Sequence, residues 1–396
     1  MINLELPDYL DNLKTQMKGF AEGLLRPIAR KYDEAEHTYP VELDVLKGMP
    51  VMSRPKKKAG EEKPKKGAER KNGSNMSQAV TVESICWGDV GLMLSIPGAG
   101  LGNAAIVAVA TDEQMERFGS KWAAMAITEP GSGSDAGSIQ TTAVLDGDEW
   151  VLNGEKIFVT CADRCDAVVV WANVDPSAGK AGIKSFIVEK GTPGFTLEKL
   201  EHKLGIRASD TGTFFLKDCR IPKDNILGSA EVKKSTEGFK GVMKTFDNTR
   251  PMVASMSNGV AGASLEFLKQ KMEEAGIALD YNENTNNVSA MQKEYYMMEA
   301  NLEAMRLLTY KASWMADEKI FNNVEASMSK AKAGRAGTLI TQKVCELLGS
   351  MGFTREHLAE KWMRDSKILD IFEGTGQIQH LIVARNILKL SRNELK

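Results

Sequence analysis

Asp146-Gly-Asp-Glu-Trp-Val-Leu-Asn-Gly154 marks the place where the chain changes period. Two turn dipeptides, Asp146-Gly147 and Asn153-Gly154, flank the apolar run Trp150 to Leu152, the pattern of tight turns around a short strand. Outward from it, Lys156–Thr160, Ala167–Ala172, Ser185–Val188, Phe195–Lys199 and Thr213–Leu216 read as further strands. Short strands at this spacing predict a compact antiparallel barrel or sandwich.

On both sides the period is helical. Leu10, Leu13, Met17, Phe20, Leu24 and Ile28 recur at helical spacing, the stretch 77–110 is apolar and helical, and a charged helix runs from Asp112 to Phe118. Downstream, helices are expected over Thr236–Ala275, Met291–Glu318, Val324–Met351 and Gly376–Leu390, with a kink at Pro251. Long antiparallel helices joined in sequence imply a bundle. The predicted class is α+β: an N-terminal helical domain (1–122), a middle antiparallel β-barrel domain (123–232) and a C-terminal four-helix bundle (233–396).

A chain of 396 residues exceeds one ordinary core, which agrees with several subdomains. With 42% hydrophobic and 26% charged residues it has the composition of a soluble globular protein. Its net charge of −2 exerts no global pull toward nucleic acid or membrane. Five scattered cysteines argue against a disulfide framework and for a reducing compartment. Cys161 and Cys165 have no second Cys or His pair nearby, so no metal is expected. No apolar run is long enough to span a bilayer, and the first eight residues lack the regions of a signal peptide. A cytoplasmic protein is expected, or the matured form of an organellar one. The low-complexity stretch 54–71 holds nine Lys or Arg and three Glu, a net +6, so the rest of the chain carries −8. It has nothing large and apolar to bury, and with its flank (54–75) it is expected to be a mobile surface insert.

Two stretches carry polar chemistry. Ala126-Ile-Thr-Glu-Pro-Gly-Ser-Gly-Ser-Asp135 is a loop of small hydroxyl residues and open backbone amides, suited to an anion or a planar polar ring. Its glycine spacing is not that of a dinucleotide fingerprint. Asp370-Ile-Phe-Glu-Gly-Thr-Gly-Gln-Ile-Gln379 puts a carboxylate, Glu373, on a glycine turn at a helix entry, where Thr375 is placed to cap the helix.

These stretches, with Asn153-Gly-Glu-Lys156, Phe158-Val-Thr160 and Thr245-Phe-Asp-Asn-Thr-Arg-Pro251, occur in one order. Together they closely resemble the acyl-CoA dehydrogenase family over about 77–390, with a looser match over the first 45 residues. The resemblance implies that family's fold, which has the same helix, sheet, helix order. It also implies FAD as cofactor. Thr128 and Ser134 match the hydroxyls that meet the flavin ring, within a loop that includes Met125, Ile127 and Gly133. Phe158, Val159 and Thr160 match the segment lying against the flavin, where the family often has tryptophan at Phe158. Gln292, Thr375 and Gln377 match further cofactor positions. Ser134, Asp247, Arg250, Phe372 and Gly374 match positions on the acyl-CoA side. Glu373 matches the catalytic base of the short- and medium-chain type, with Arg250 beside it; the alternative location for a base, on the helix before the arginine, is Thr249 here.

The implied reaction is α,β-dehydrogenation of an acyl-CoA to the trans-2-enoyl-CoA, with electron-transfer flavoprotein as acceptor, in a homo-oligomer (dimer or tetramer). Neighbouring readings are an acyl-CoA oxidase, a dehydrogenase of a carrier-bound or unusual acyl thioester, and a catalytically silent acyl-CoA-binding subunit of a heteromer. One departure stands out. Where the family carries an Arg-x-x-Phe-Gly segment toward the flavin pyrophosphate, this chain has Tyr281 and Asn284.

Overall fold

The computed structural model describes residues 5–47, 73–98, 100–232, 237–284, 286–391 and 394–395, with 237–248 described by backbone alone. The N-terminal periodicity does not give one helix. Helix α1 (Asp8–Phe20) passes through a wide turn at Ala21–Leu25 and a tight one at Arg26–Ile28 before α2 (Ala29–Glu34). Pro27 sits near the start of that tight turn, where its missing N–H costs little. After 73 come α3 (Ser74–Gly88), α4 (Val90–Met93), α5 (Leu101–Val109) and α6 (Asp112–Phe118). Asp89 caps α4 by accepting the Leu92 N–H at 2.8 Å. Thr111 and Gln114 form a reciprocal capping box at the start of α6.

Of the expected insert 54–75, residues 54–72 lie outside the described residues. Its last residues are not a mobile flank. Ser74 and Asn75 open α3, and the buried Asp317 carboxylate accepts the Asn75 and Met76 N–H groups, each at 2.9 Å.

The middle region holds β1 (Ala123–Ala126), β2 (Thr142–Asp146), β3 (Glu149–Thr160), β4 (Ala167–Asn173), β5 (Ile183–Glu189), β6 (Phe195–Leu200) and β7 (Thr211–Pro222). Asp146-Gly147 does turn between β2 and β3, but Asn153-Gly154 does not. Strand β3 runs through it, and the register against β7 slips between Leu152 and Gly154. Gly154 has φ of 155°, and a Cβ there would stand 2.4 Å from Thr141 Oγ1, so the glycine serves a bulge rather than a turn. The sheet is mixed: β1 and β2 pair with β4 in parallel, and the other four pairings are antiparallel. Its order is β1-β4-β2-β3-β7-β6, with β5 on β4.

The C-terminal helices are α7 (Glu237–Glu274), α8 (Ala290–Asp317), α9 (Asn323–Leu348), α10 (Ser350–Phe353), α11 (Ala359–Ser366) and α12 (Gly376–Leu388). Helix α7 continues through Pro251. The N- and C-terminal helices share one apolar core: Leu25 and Ile85 pack with Val260, Met305, Ile340 and Trp362. The sheet has its own, around Trp150, Leu152, Phe186 and Phe214. All three regions meet at Lys361, which is wholly buried and paired with Asp89 and, at 2.5 Å, with Asp365. Asp365 also accepts the Ile206 N–H at 2.6 Å. No described helix is long and apolar enough to cross a membrane.

Candidate active site

Glu373 sits on the turn between the short 3-10 stretch Lys367–Asp370 and α12. Its backbone has φ of 57°, followed by Gly374 at 91°. Left-handed backbone on a non-glycine residue costs ~1–3 kcal/mol and is retained where the surroundings impose it. Here Gln379 imposes it: this buried amide donates to the Gly374 carbonyl at 3.1 Å and the Glu373 carbonyl at 3.4 Å. The left-handed φ of Gly374 favours glycine, and a Cβ there would also press within 2.5 Å of the same amide nitrogen. Thr375 Oγ1 caps α12 by accepting the Ile378 N–H at 3.3 Å. Phe372 packs against the shared core.

The Glu373 side chain points at α7 and α9. Thr249 Oγ1 donates to Glu373 Oε2 at 3.1 Å. Arg250 is 3% exposed, and its Nη1 donates to Ser327 Oγ at 3.4 Å. Glu373 as a whole is intermediate in exposure, yet its carboxyl lies deep. Burial raises its pKa above the usual 4.5, against the opposing influence of the Thr249 hydrogen bond, Lys330 and Arg250. Burial of this kind makes a carboxylate a stronger proton acceptor, the property that general-base chemistry needs. The described part of the expected acyl side stops there, because the Asp247 side chain lies outside the described residues.

The second cluster is the loop after β1. Its Thr128 carbonyl accepts the Ile157 N–H at 2.9 Å, which fixes the loop edge to edge with β3 beside Phe158. Under it, the buried Lys156 Nζ donates to Glu129 Oε1 at 2.7 Å and to the Ile127 carbonyl at 3.1 Å. Burial lowers Lys156 to about 8 against the pull of Glu129, while Glu129 is held low by the Gln140 N–H, Lys156 and Thr141 despite its own burial. The pair is therefore mostly ionised at pH 7 and anchors the loop. Ile127 and Met125 pack beneath it against Ile139 and Trp171. Gly133 and Ser134 are exposed at its tip. Phe158 is 61% exposed on a second bulge, with φ of 59°, between buried Val159 and the 156 position.

Residues 124–219 match the model of the acyl-CoA dehydrogenase middle domain, and residues 236–388 match that of the acyl-CoA dehydrogenase C-terminal domain. The chain belongs to the acyl-CoA dehydrogenase family. The mitochondrial short-chain specific acyl-CoA dehydrogenase of Bos taurus is 37% identical over 410 residues, covering 99% of this chain and 93% of its own. Subunit CarC of the caffeyl-CoA reductase–Etf complex of Acetobacterium woodii is 36% identical over 326 residues, covering 80% and 83%. The butyryl-CoA dehydrogenase structure from Megasphaera elsdenii superposes with a TM-score of 0.84 at 29% identity, covering 98% of this chain and 100% of that one.

The residues present fit the family's FAD. Phe158, an exposed aromatic face, follows Ile157, whose N–H ties this strand to the Thr128 end of the hydroxyl-bearing loop, and Thr160 is two residues on; an aromatic face with hydroxyls at hand suits a planar ring with a polar edge. Gln377 is exposed on the first turn of α12. Gln292 stands apart from both clusters: it closes a capping box with Ser289 and donates to the Ala278 carbonyl at 2.7 Å. The departure from the family segment is self-contained too, since Tyr281 donates to Glu299 at 3.0 Å and Asn284 accepts the Asn286 N–H at 2.9 Å. One group among the described residues, Glu36, His37 and His202, brings three ligand-type atoms within 4.8 Å. Arg207 lies 3.4 Å from Glu36, and the Lys203 N–H donates to it at 2.9 Å, so both oxygens of this carboxylate already have partners in the protein.

Thr249 as the hydrogen-bond partner of Glu373, Gln379 as the support of its turn, and Lys330 with its charge toward that carboxylate were not legible as parts of this cluster. For Lys330 the signal lay in the face of α9 it shares with Ala326, Ala333, Gly334 and Gly337, all buried and small. A lysine on such a stripe is not a surface residue.

Proposed function

We propose that the chain is an FAD-dependent acyl-CoA dehydrogenase that converts a short acyl-CoA to its trans-2-enoyl-CoA. The observation that carries this is the Glu373 carboxylate on its strained turn, held by Thr249 and facing Arg250 and Lys330. Glu373 removes the weakly acidic α-proton of the thioester. Thr249 fixes the orientation of its carboxylate, and the two cations limit how far burial drives it to the neutral acid. Thr128, Ser134, Phe158 and Thr160 hold the cofactor, with the Glu129–Lys156 pair keeping the loop in place. FAD, when bound, supplies the acceptor for the two electrons and the β-hydrogen. The short-chain and butyryl-CoA names of the relatives support a four-carbon chain as the first substrate to try. The Etf-complex relative supports electron-transfer flavoprotein as the acceptor.

Protein saturated with FAD and desalted should keep flavin absorbance, and anaerobic butyryl-CoA should bleach it. Retained flavin that no straight or branched acyl-CoA of a panel bleaches would sink the enzyme reading and leave the silent-subunit one.

The chain is further proposed to assemble with itself. Trp314 (49% exposed), Leu339 (53%) and Phe353 (87%) leave large apolar groups on α8, α9 and α10, and patches of that kind mark association surfaces. Sedimentation should give a dimer or tetramer; a fully active monomer would refute it.

A further inference from the structure

Lys330 has none of its surface exposed, and its Nζ has no hydrogen-bond partner among the described residues. An ammonium taken out of water is strongly disfavoured unless opposite charge faces it. Burial brings Lys330 down to about 8, against the pull of Asp370 and Glu373, while Arg250 lowers it further. The backbone enforces this placement. Gly334 lies one helical turn from Lys330 on α9, and a Cβ there would stand 2.8 Å from Asp370 Cα. The Lys367–Asp370 stretch thus rests directly on the face of α9 that carries Lys330. Asp370 Oδ1 is likewise buried without a hydrogen-bond partner among the described residues. The charged groups around Glu373 come from each element packed on it: Arg250 from α7 and Lys330 from α9, with Asp370 facing Lys330 from the turn's own side.

We propose that Lys330 is a positioning residue for the dehydrogenation, a buried counter-charge shared by Asp370 and Glu373 that keeps the Glu373 carboxylate ionised when acyl-CoA displaces water from it. The proposal rests on Glu373 being the base. Without the ammonium, burial holds Glu373 as the neutral acid, which cannot take the α-proton. A lysine serving only to fill space would leave the protonation of Glu373 alone.

The test is the pH profile of anaerobic flavin reduction by butyryl-CoA, in FAD-loaded full-length protein. Lys330→Met keeps the volume and removes the charge. Its acid limb should move to higher pH by on the order of one unit, the effect of losing one nearby opposite charge. The rate on the low-pH side should then fall about tenfold, with the high-pH plateau nearly kept. Lys330→Arg should keep the wild-type limb. An unmoved limb in Lys330→Met, or a rate lowered equally at every pH, overturns the proposal. If Lys330→Met does not fold with flavin, the triple variant Lys330→Met/Asp370→Asn/Glu373→Gln, which removes both carboxylates that Lys330 faces, decides by flavin retention and melting: recovered folding shows the coupling of the charges, and failure of both variants assigns Lys330 to packing alone. A failure of the base assignment looks different, since Glu373→Gln would then reduce at the wild-type rate whatever Lys330 does.

Discussion

Glu373→Gln is expected to hold FAD and acyl-CoA and to lose at least about 10²-fold in flavin reduction by butyryl-CoA, the usual contribution of one positioned base. The amide keeps the shape and still accepts the Thr249 hydrogen bond, but it cannot accept the α-proton. Glu373→Asp retains a base withdrawn by one methylene, and a misplacement of that size costs on the order of 10²-fold. The same substitution has a second readout in stability. The folded pKa of Glu373 is raised above 4.5, so between the unfolded and folded values the native state binds more protons than the unfolded one. Stability then falls as pH rises through that window and stays lower above it. Glu373→Gln has no such loss: its melting temperature should match wild type at acid pH and exceed it at neutral pH. Anaerobic stopped-flow and melts at the two pH values check both. Wild-type reduction by the Gln variant would move the base elsewhere, to Asp247 or Glu129.

Lys361→Met should cost stability on a scale that endangers folding, ~3–5 kcal/mol, because it leaves Asp89 and Asp365 buried without their shared cation. Burial works against the Lys361 ammonium, but the two carboxylates hold its pKa above the ordinary value. One ammonium facing two carboxylates leaves an excess negative charge, and burial pushes Asp365 up in response. Removing all three charges together, as Asp89→Asn/Lys361→Met/Asp365→Asn, should recover most of the loss, since each asparagine keeps an oxygen for the Leu92 and Ile206 N–H groups. Chemical denaturation of the two variants measures it; a single variant within about 1 kcal/mol of wild type would place the three groups among the weak ion pairs.

The helix, sheet, helix order was legible because each period persists over many residues. The Glu373 turn was legible because its glycine and threonine stand in sequence beside the carboxylate. What was lost depended on partners far along the chain. Asn153-Gly154 has the residues of a turn, and only the approach of Thr141 turns it into a bulge. Ala123–Ala126 is a strand too small and too uniform to alternate, visible once β4 pairs with it in parallel. Asn75 joined the basic stretch by composition, whereas Asp317 draws it into α3. Lys330 and Lys361 are charges on helices, which local reasoning assigns to solvent. Their burial follows from carboxylates on other segments: Asp370 and Glu373 for the first, Asp89 for the second.

The single core shared by the first and last helices has a consequence for how the protein is made. Ala21, Leu25 and Ile85 wait for Val260, Met305 and Trp362, which follow only after the whole sheet. Ribosomes add ~5–20 residues per second, so the apolar faces of the first helices spend on the order of ten seconds or more outside the exit tunnel before their partners emerge. The sheet can close on its own core in that interval. The opening helices cannot, and a nascent chain stalled before residue 250 offers chaperones a folded β unit trailing an open apolar arm.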